Sequence, residues 1–237
     1  MEDIINTIRA VLKESIDEKT RATSQNFFKE KIKYYGVKVP TVNRISKEHY
    51  KLIESKTKSE VFNLCESLWS SGYLEESFIA CNWSYYIHDR YEPGDFQVFE
   101  RWINKYVNNW ASCDTLCNHT VGSFIEMYPE FLANLKELSK AENRWARRAS
   151  AVALIIPTRK GKFLKDILEI ADSLLMDKDD LVQKGYGWML KAASEAHQQE
   201  IFAYVMTKKD VMPRTALRYA IEKMPADLKA AAMKKNV

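Results

Sequence analysis

An indole and a carboxylate stand four residues apart in the stretch at residues 109–114. Trp110 and Asp114 are at positions i and i+4, so a helix would place both on one face. An acid near a helix start is favoured simply by the helix dipole. An acid beside an aromatic wall can also form an anionic pocket, which suits a cationic group or positive charge that develops during a reaction. On these two residues alone both interpretations are open.

Six basic side chains and no acidic one occur between residues 144 and 162. Such a run suits phosphate oxygens, because each contact releases condensed counterions and because Arg offers a planar fork to a phosphate. A solvated helix face is the alternative. The run predicts phosphate contacts by Arg147 and Arg148 on a helix, and by Arg159 and Lys160 on the loop that follows.

Two glycines, Gly185 and Gly187, interrupt a helical pattern at residues 182–191. Each costs roughly 1 kcal/mol relative to Ala in a helix. Gly permits the close approach of another backbone, which is either a neighbouring helix or a nucleic-acid phosphate. Lys184, Trp188 and Lys191 recur at i, i+4 and i+7 and share a face. A Trp between two cations is typical of a nucleic-acid surface rather than of a core.

Helices must position these residues, because apolar side chains recur with helical spacing along almost the whole chain. Of the 237 residues only 7 are Gly and 6 are Pro, which favours helices over turn-rich β structure. One helix is predicted from apolar residues between 27 and 35, ending at Gly36. The other predicted helices lie at about residues 4–12, 40–50, 61–72, 75–91, 95–108, 111–127, 130–140, 143–156, 162–176, 180–194, 197–207, 213–223 and 226–234.

Short links between about fourteen helices predict two-helix repeats of about 35–45 residues. Such pairs bury their apolar faces only by stacking on one another. The predicted fold is therefore all-α, a HEAT-like helical-pair solenoid or α-α superhelix. No linker divides the chain, so residues 1–237 are predicted to form a single HEAT-like repeat domain. A compact helical bundle is the alternative.

Composition limits the other possibilities. The net charge of +4 is mild, so the distribution of charge must decide whether nucleic acid binds. No apolar stretch is long enough to span a membrane, and no signal peptide is recognised. The sparse cysteines Cys65, Cys81, Cys113 and Cys117 predict reduced thiols in a cytoplasmic protein. Cys113, Cys117 and His119 lack a fourth ligand, so neither a metal nor another cofactor is predicted.

Together, these segments resemble the AlkD-type DNA glycosylases, which are HEAT-like repeat proteins of DNA alkylation repair. The matching features are Trp110-x-x-x-Asp114, Arg148 in its basic run, and residues 183–191. The resemblance extends from residues 35–40 to residues 212–219. No single motif is diagnostic, but the order, spacing and length are fairly specific in combination.

The resemblance implies hydrolysis of the N-glycosidic bond of cationic N3- and N7-alkylated purines in duplex DNA, without base flipping. Asp114 would stabilise the sugar cation and position water, while Trp110 and Trp188 flank the deoxyribose. Arg148 would hold the DNA backbone. The full set of expected DNA contacts is Arg147, Arg148, Lys184, Lys191, Arg159, Lys160 and Phe27. The protein is expected to act as a monomer on double-stranded DNA with alkylated bases.

Two positions depart from the family pattern. Lys191 stands where active members carry Arg, which keeps the charge but loses the bidentate fork. Phe27 stands where a Tyr is expected, which removes a hydroxyl. The family also contains relatives with little or no excision, so a non-catalytic protein that binds branched or damaged DNA is the first alternative. A protein-binding HEAT scaffold is the second.

Overall fold

The helical periodicity of the sequence is realised in the computed structural model, which describes residues 2–234 and is 73% helical. Within those residues the β pairing is limited to one isolated bridge between Lys33 and Tyr73. The predicted all-α class is therefore confirmed. The α-helices are α1 Glu2–Glu14, α2 Glu18–Thr23, α3 Val39–Tyr50, α4 Lys58–Ser70, α5 Leu74–Tyr86, α6 Phe96–Lys105, α7 Trp110–Thr115, α8 Gly122–Met127, α9 Leu132–Leu138, α10 Arg144–Val152, α11 Ile155–Arg159, α12 Leu164–Leu174, α13 Asp180–Ala193, α14 Gln198–Lys208, α15 Arg214–Ala220 and α16 Ala226–Met233.

The helix predicted from residues 27–35 is wrong. The chain there forms a short 3-10 turn, Ser24–Phe27, and then runs without helix to the start of α3. The buried carboxylate of Glu75 accepts backbone N–H bonds from Tyr35, Gly36 and Val37 at 2.9, 2.8 and 3.0 Å. The side chain of Gln25 donates to the carbonyl oxygens of Phe28 and Glu30 and accepts from the N–H of Ile32. These bonds take backbone groups that a helix would pair with one another, and the Glu75 contact fixes the chain that follows.

The chain divides by its packing into two compact units, Met1–Leu116 and Cys117–Val237. In the first unit α5 packs against α3, α4 and α7. In the second unit α13 is central and packs against α10, α11, α12 and α15. That residues 1–237 form one domain stays a prediction.

An aromatic cluster that is hydrogen-bonded to the carboxylate of Glu66 stabilises the first unit. Trp102 lies beside Phe62, Phe99 and Trp69, with ring centroids 5.6 to 6.3 Å apart. Glu66 accepts hydrogen bonds from Trp102 Nε1 and from the hydroxyl of Tyr106, both at 2.5 Å. These bonds join α4 to α6 in a cluster that would otherwise leave an indole N–H unpaired.

All four cysteines are buried, and none of them is part of a disulfide. Burial raises the pKa of both Cys65 and Cys81. Between residues 2 and 234 no set of three His, Cys, Asp or Glu side chains is arranged to hold a metal ion. In the same range no helix has the length and apolar character needed to cross a membrane.

Candidate functional site

Trp110 is the first residue of α7, and its indole is held in place from two sides. Asn109 caps the helix, because its buried side chain accepts from the N–H of Ser112 at 2.9 Å. Trp110 Nε1 donates to the carbonyl oxygen of Phe27 at 3.1 Å. The ring of Phe28 stacks on the indole, with centroids 5.6 Å apart and planes at 23°. The half-buried indole therefore has a fixed orientation.

Asp114 lies one turn after Trp110 in α7 and is also half-buried. The helix predicted at residues 111–127 is present, so the two side chains project from the same side of α7. A π-helix, Leu116–Val121, follows directly. Such π segments are rare and occur frequently at functional sites.

Phe27 and Phe28 have different roles, and only one of them was anticipated. The side chain of Phe27 is 70% exposed, although its backbone carbonyl is bound to Trp110. The neighbouring Phe28 supplies the stacking ring. Sequence reasoning missed Phe28, because no local spacing indicates a contact with a residue more than eighty positions away.

Arg148, in the second unit, is a buried residue of α10 with 5% exposure. Its Nη1 donates to the carbonyl oxygen of Leu181, at the start of α13. A Cβ added at Gly185 would lie 3.3 Å from Arg148 Cγ and 3.4 Å from Nη1. Gly185 thus makes room for the Arg148 side chain where α10 packs against α13.

Gly187 has a parallel explanation on the other side of α13. A Cβ there would lie 2.7 Å from Tyr219 Cβ and 2.8 Å from the carbonyl oxygen of Ala216. Gly187 therefore permits α15 to pack closely on α13. Of the two reasons considered for these glycines, a neighbouring helix accounts for both.

Three of the four cations expected on α10 and α13, which are Arg147, Lys184 and Lys191, pair with carboxylates. Arg147 Nε lies 2.6 Å from Asp177, and its Nη1 also donates to two backbone carbonyls. Lys184 pairs with Asp180 at 3.1 Å, and Lys191 pairs with Glu222 at 2.9 Å. The half-buried Trp188 lies on α13 between these two lysines in sequence.

Arg159, predicted on a loop, is instead the last residue of α11, and like the loop residues Lys160 and Lys162 it pairs with a carboxylate. Arg159 lies 3.6 Å from Glu195. Lys160 and Lys162 lie 2.8 and 2.9 Å from one carboxylate, that of Glu126. No acidic residue occurs within residues 144–162, but carboxylates from other parts of the chain pair with the basic side chains of this run. Only the i, i+4 pair of Lys184 and Asp180 could have been recognised from spacing.

The predicted site residues fall into two groups. Trp110, Asp114 and Phe27 belong to the first unit, where the Trp110 indole and the Phe27 backbone are in contact. The other group, which belongs to the second unit, comprises Arg147, Arg148, Arg159, Lys160, Lys184, Trp188 and Lys191. That Trp110 and Trp188 flank one sugar stays a prediction.

Known proteins resemble this chain in sequence pattern and in fold. A solved structure described as a predicted DNA alkylation repair enzyme from Enterococcus faecalis matches with a TM-score of 0.78 and 18% identity, covering 90% of this chain and 98% of that one. This likeness confirms the predicted helical-pair fold class. No curated protein matches. The family model described as DNA alkylation repair enzyme matches residues 8–224, so the chain belongs to the DNA alkylation repair enzyme family.

Proposed function

We propose that the protein is a monofunctional DNA glycosylase that removes cationic N3- and N7-alkylated purines from duplex DNA without base flipping. The observation that carries this proposal is the fixed indole of Trp110 with the carboxylate of Asp114 one turn later. Membership of a DNA alkylation repair family supports it. The protein is proposed to act as a monomer in the cytoplasm.

The proposed chemistry needs little from the protein beyond charge and orientation. An alkylated purine already carries a positive charge, so the electron pair of the breaking C–N bond neutralises its ring and no general acid is required. The sugar becomes an oxocarbenium-like cation, and water adds to it with loss of a proton. A carboxylate gains Coulomb energy as that cation forms, and an indole face adds to the stabilisation.

Asp114 is proposed to stabilise the sugar cation and to orient the water, with Trp110 and Trp188 against the deoxyribose. Loss of one preorganised electrostatic contact of this kind typically slows a reaction about a hundred- to a thousand-fold. The anion itself lies among DNA phosphates in the complex and does not favour ground-state binding. Its removal is therefore expected to change the rate far more than the affinity.

The DNA backbone is proposed to contact the basic residues of the second unit. Since most of these cations pair with carboxylates, phosphates must replace or share those partners on binding. Arg159 and Lys160 have the most exposed side chains of the set, at 46% and 56%, so they exchange partners most readily. Arg148 is buried and donates from Nη1 to the carbonyl oxygen of Leu181, so a phosphate would share this guanidinium with the protein.

A second candidate function is DNA binding without excision. Lys191 is paired with Glu222 and lacks the planar fork of an Arg, and the exposed Phe27 lacks a hydroxyl. Both departures concern groups that would contact DNA near the reaction. A scaffold for proteins is the third possibility, and it predicts no DNA affinity at all.

Two assays distinguish these functions. Titration of a labelled duplex at several salt concentrations is expected to give a logarithm of the binding constant that falls linearly with the logarithm of the salt concentration. Incubation of methylated duplex DNA is expected to release 7-methylguanine or 3-methyladenine. Binding without release would support the second candidate, and absence of binding at low salt would support the third.

A further inference from the structure

One indole of the aromatic cluster in the first unit differs from its neighbours in its hydrogen bonding. Trp69, near the end of α4, is 3% exposed. The equally buried indoles of Trp83 and Trp102 donate to the carbonyl oxygen of Ser46 and to the carboxylate of Glu66. Among residues 2–234 the Nε1 of Trp69 has no hydrogen-bond partner. A buried N–H of this kind requires an acceptor, because leaving it unpaired is unfavourable.

Trp69 lines a small cavity where the end of α4 meets the first turns of α5 and α7. The volume of this cavity is about 10 Å³. One water molecule needs roughly 10–15 Å³ of such space, so a single water fits and a larger ligand does not. The described residues that line the cavity include no charged side chain.

Two hydroxyl oxygens in the lining can act only as acceptors. The hydroxyl of Ser77 donates its one hydrogen to the carbonyl oxygen of Leu74 at 2.6 Å, and the hydroxyl of Ser112 donates to that of Asn109 at 3.2 Å. Each hydroxyl oxygen has lone pairs for a further hydrogen bond. The cavity thus combines an indole donor from α4 with hydroxyl acceptors from α5 and α7.

This combination of groups discriminates among small ligands. A water molecule accepts from an N–H and donates two hydrogens, so it can satisfy the indole and both hydroxyl oxygens at once. An ammonium ion has donors only and cannot accept from the indole N–H. An apolar molecule would leave that N–H without an acceptor.

We propose that this cavity binds one structural water, which accepts from Trp69 Nε1 and donates to the hydroxyl oxygens of Ser77 and Ser112. The water joins the end of α4 to the first turns of α5 and α7. Since α7 begins at Trp110, the water lies behind the helical turn that carries this indole. The site is independent of the proposed glycosylase reaction.

Water itself is the probe, observed by nuclear magnetic resonance on protein isotope-labelled in tryptophan. We expect a rotating-frame Overhauser cross-peak between water and the indole N–H of Trp69, with the sign that dipolar contact gives. Trp83 and Trp102 are matched controls, because they are as deeply buried but donate to oxygens of the protein. They should show no such cross-peak. Absence of the cross-peak at Trp69, or a cross-peak with the sign of chemical exchange, would overturn the proposal.

A crystal structure at high resolution distinguishes a bound water from a signal relayed by an exchanging hydroxyl. We expect water density within hydrogen-bond distance of Trp69 Nε1, and a cavity without such density would overturn the proposal. The double variant Ser77→Ala with Ser112→Ala removes both acceptors and is expected to lose the water. The control Ser70→Ala changes an exposed serine of α4 that does not line the cavity and should keep it. A double variant that keeps the water would show that these hydroxyls do not bind it.

Discussion

The substitution Gly187→Ala tests whether close helix packing explains the glycines of α13. Alanine is preferred to glycine in a helix by about 0.8–1.0 kcal/mol, so propensity alone predicts stabilisation. The new Cβ, however, would lie 2.7 Å from Tyr219 Cβ and 2.8 Å from a carbonyl oxygen of Ala216. One of these neighbours is backbone, so α15 must shift. Overpacking costs typically 1–3 kcal/mol, and a clash with backbone falls in the upper part of that range, about 2–3 kcal/mol. After the gain in helix propensity we expect a net loss of about 1–2 kcal/mol in the free energy of unfolding.

Gly185→Ala is the matched control on the same helix. Its Cβ would meet the flexible side chain of Arg148 at 3.3 and 3.4 Å, a tight contact that a shift of a few tenths of an ångström relieves. We expect its stability to stay within about 0.5 kcal/mol of wild type, since helix propensity offsets the adjustment. The assay is urea unfolding followed by circular dichroism.

The comparison also separates packing from DNA contact. If a glycine served to admit a phosphate, its substitution would weaken DNA binding and leave stability unchanged or raised. A Gly187→Ala protein as stable as wild type would therefore refute the packing explanation.

Two further predictions concern carboxylates. Burial alone would raise the pKa of Glu66, but hydrogen bonds from Tyr106, Trp102 and Arg101 outweigh it and lower the pKa below the ordinary 4.5. The ionised Glu66 carboxylate therefore stabilises the folded state fully above about pH 4.5, and this stabilisation is lost as the pH falls through the lower folded pKa. Glu66→Gln should reduce the thermal unfolding midpoint at pH 7. At pH 3 the variant should differ less from wild type. Glu126→Gln removes the carboxylate that pairs with Lys160 and Lys162, so it should raise duplex affinity about two- to five-fold at low salt. The control Glu130→Gln changes an exposed acid and should leave the affinity as it is. If Glu126→Gln also leaves the affinity unchanged, Lys160 and Lys162 lie outside the DNA contact.

Local chemistry in the sequence predicts the helices and the Trp110 and Asp114 pair well. Apolar periodicity, Gly and Pro place α13 and the start of α7 within one residue, and i, i+4 spacing puts Trp110 and Asp114 on one helix face. Both properties depend on residues a few positions apart. The sequence therefore carries them directly.

Contacts between distant residues could not be predicted in this way. The carboxylate of Glu75 binds the backbone N–H groups of residues 35–37, and Phe28 stacks on Trp110, more than eighty positions away in sequence. The carboxylates that pair with the basic run come from positions about thirty or more residues away. Because no periodicity links such partners, the run was interpreted as more positive than it is in the folded chain.

The rate of base release by Asp114→Asn, under single-turnover conditions on a duplex with one 7-methylguanine, tests the proposed function most directly. Asn keeps the shape of the side chain and removes its charge. The account predicts release by wild type, a rate about a hundred- to a thousand-fold lower for Asp114→Asn, and an unchanged duplex affinity. The control Asp89→Asn alters an exposed acid of the same unit and should react at the wild-type rate. Equal rates for wild type and Asp114→Asn would contradict the assigned chemistry, and tight binding without release by wild type would contradict the glycosylase itself.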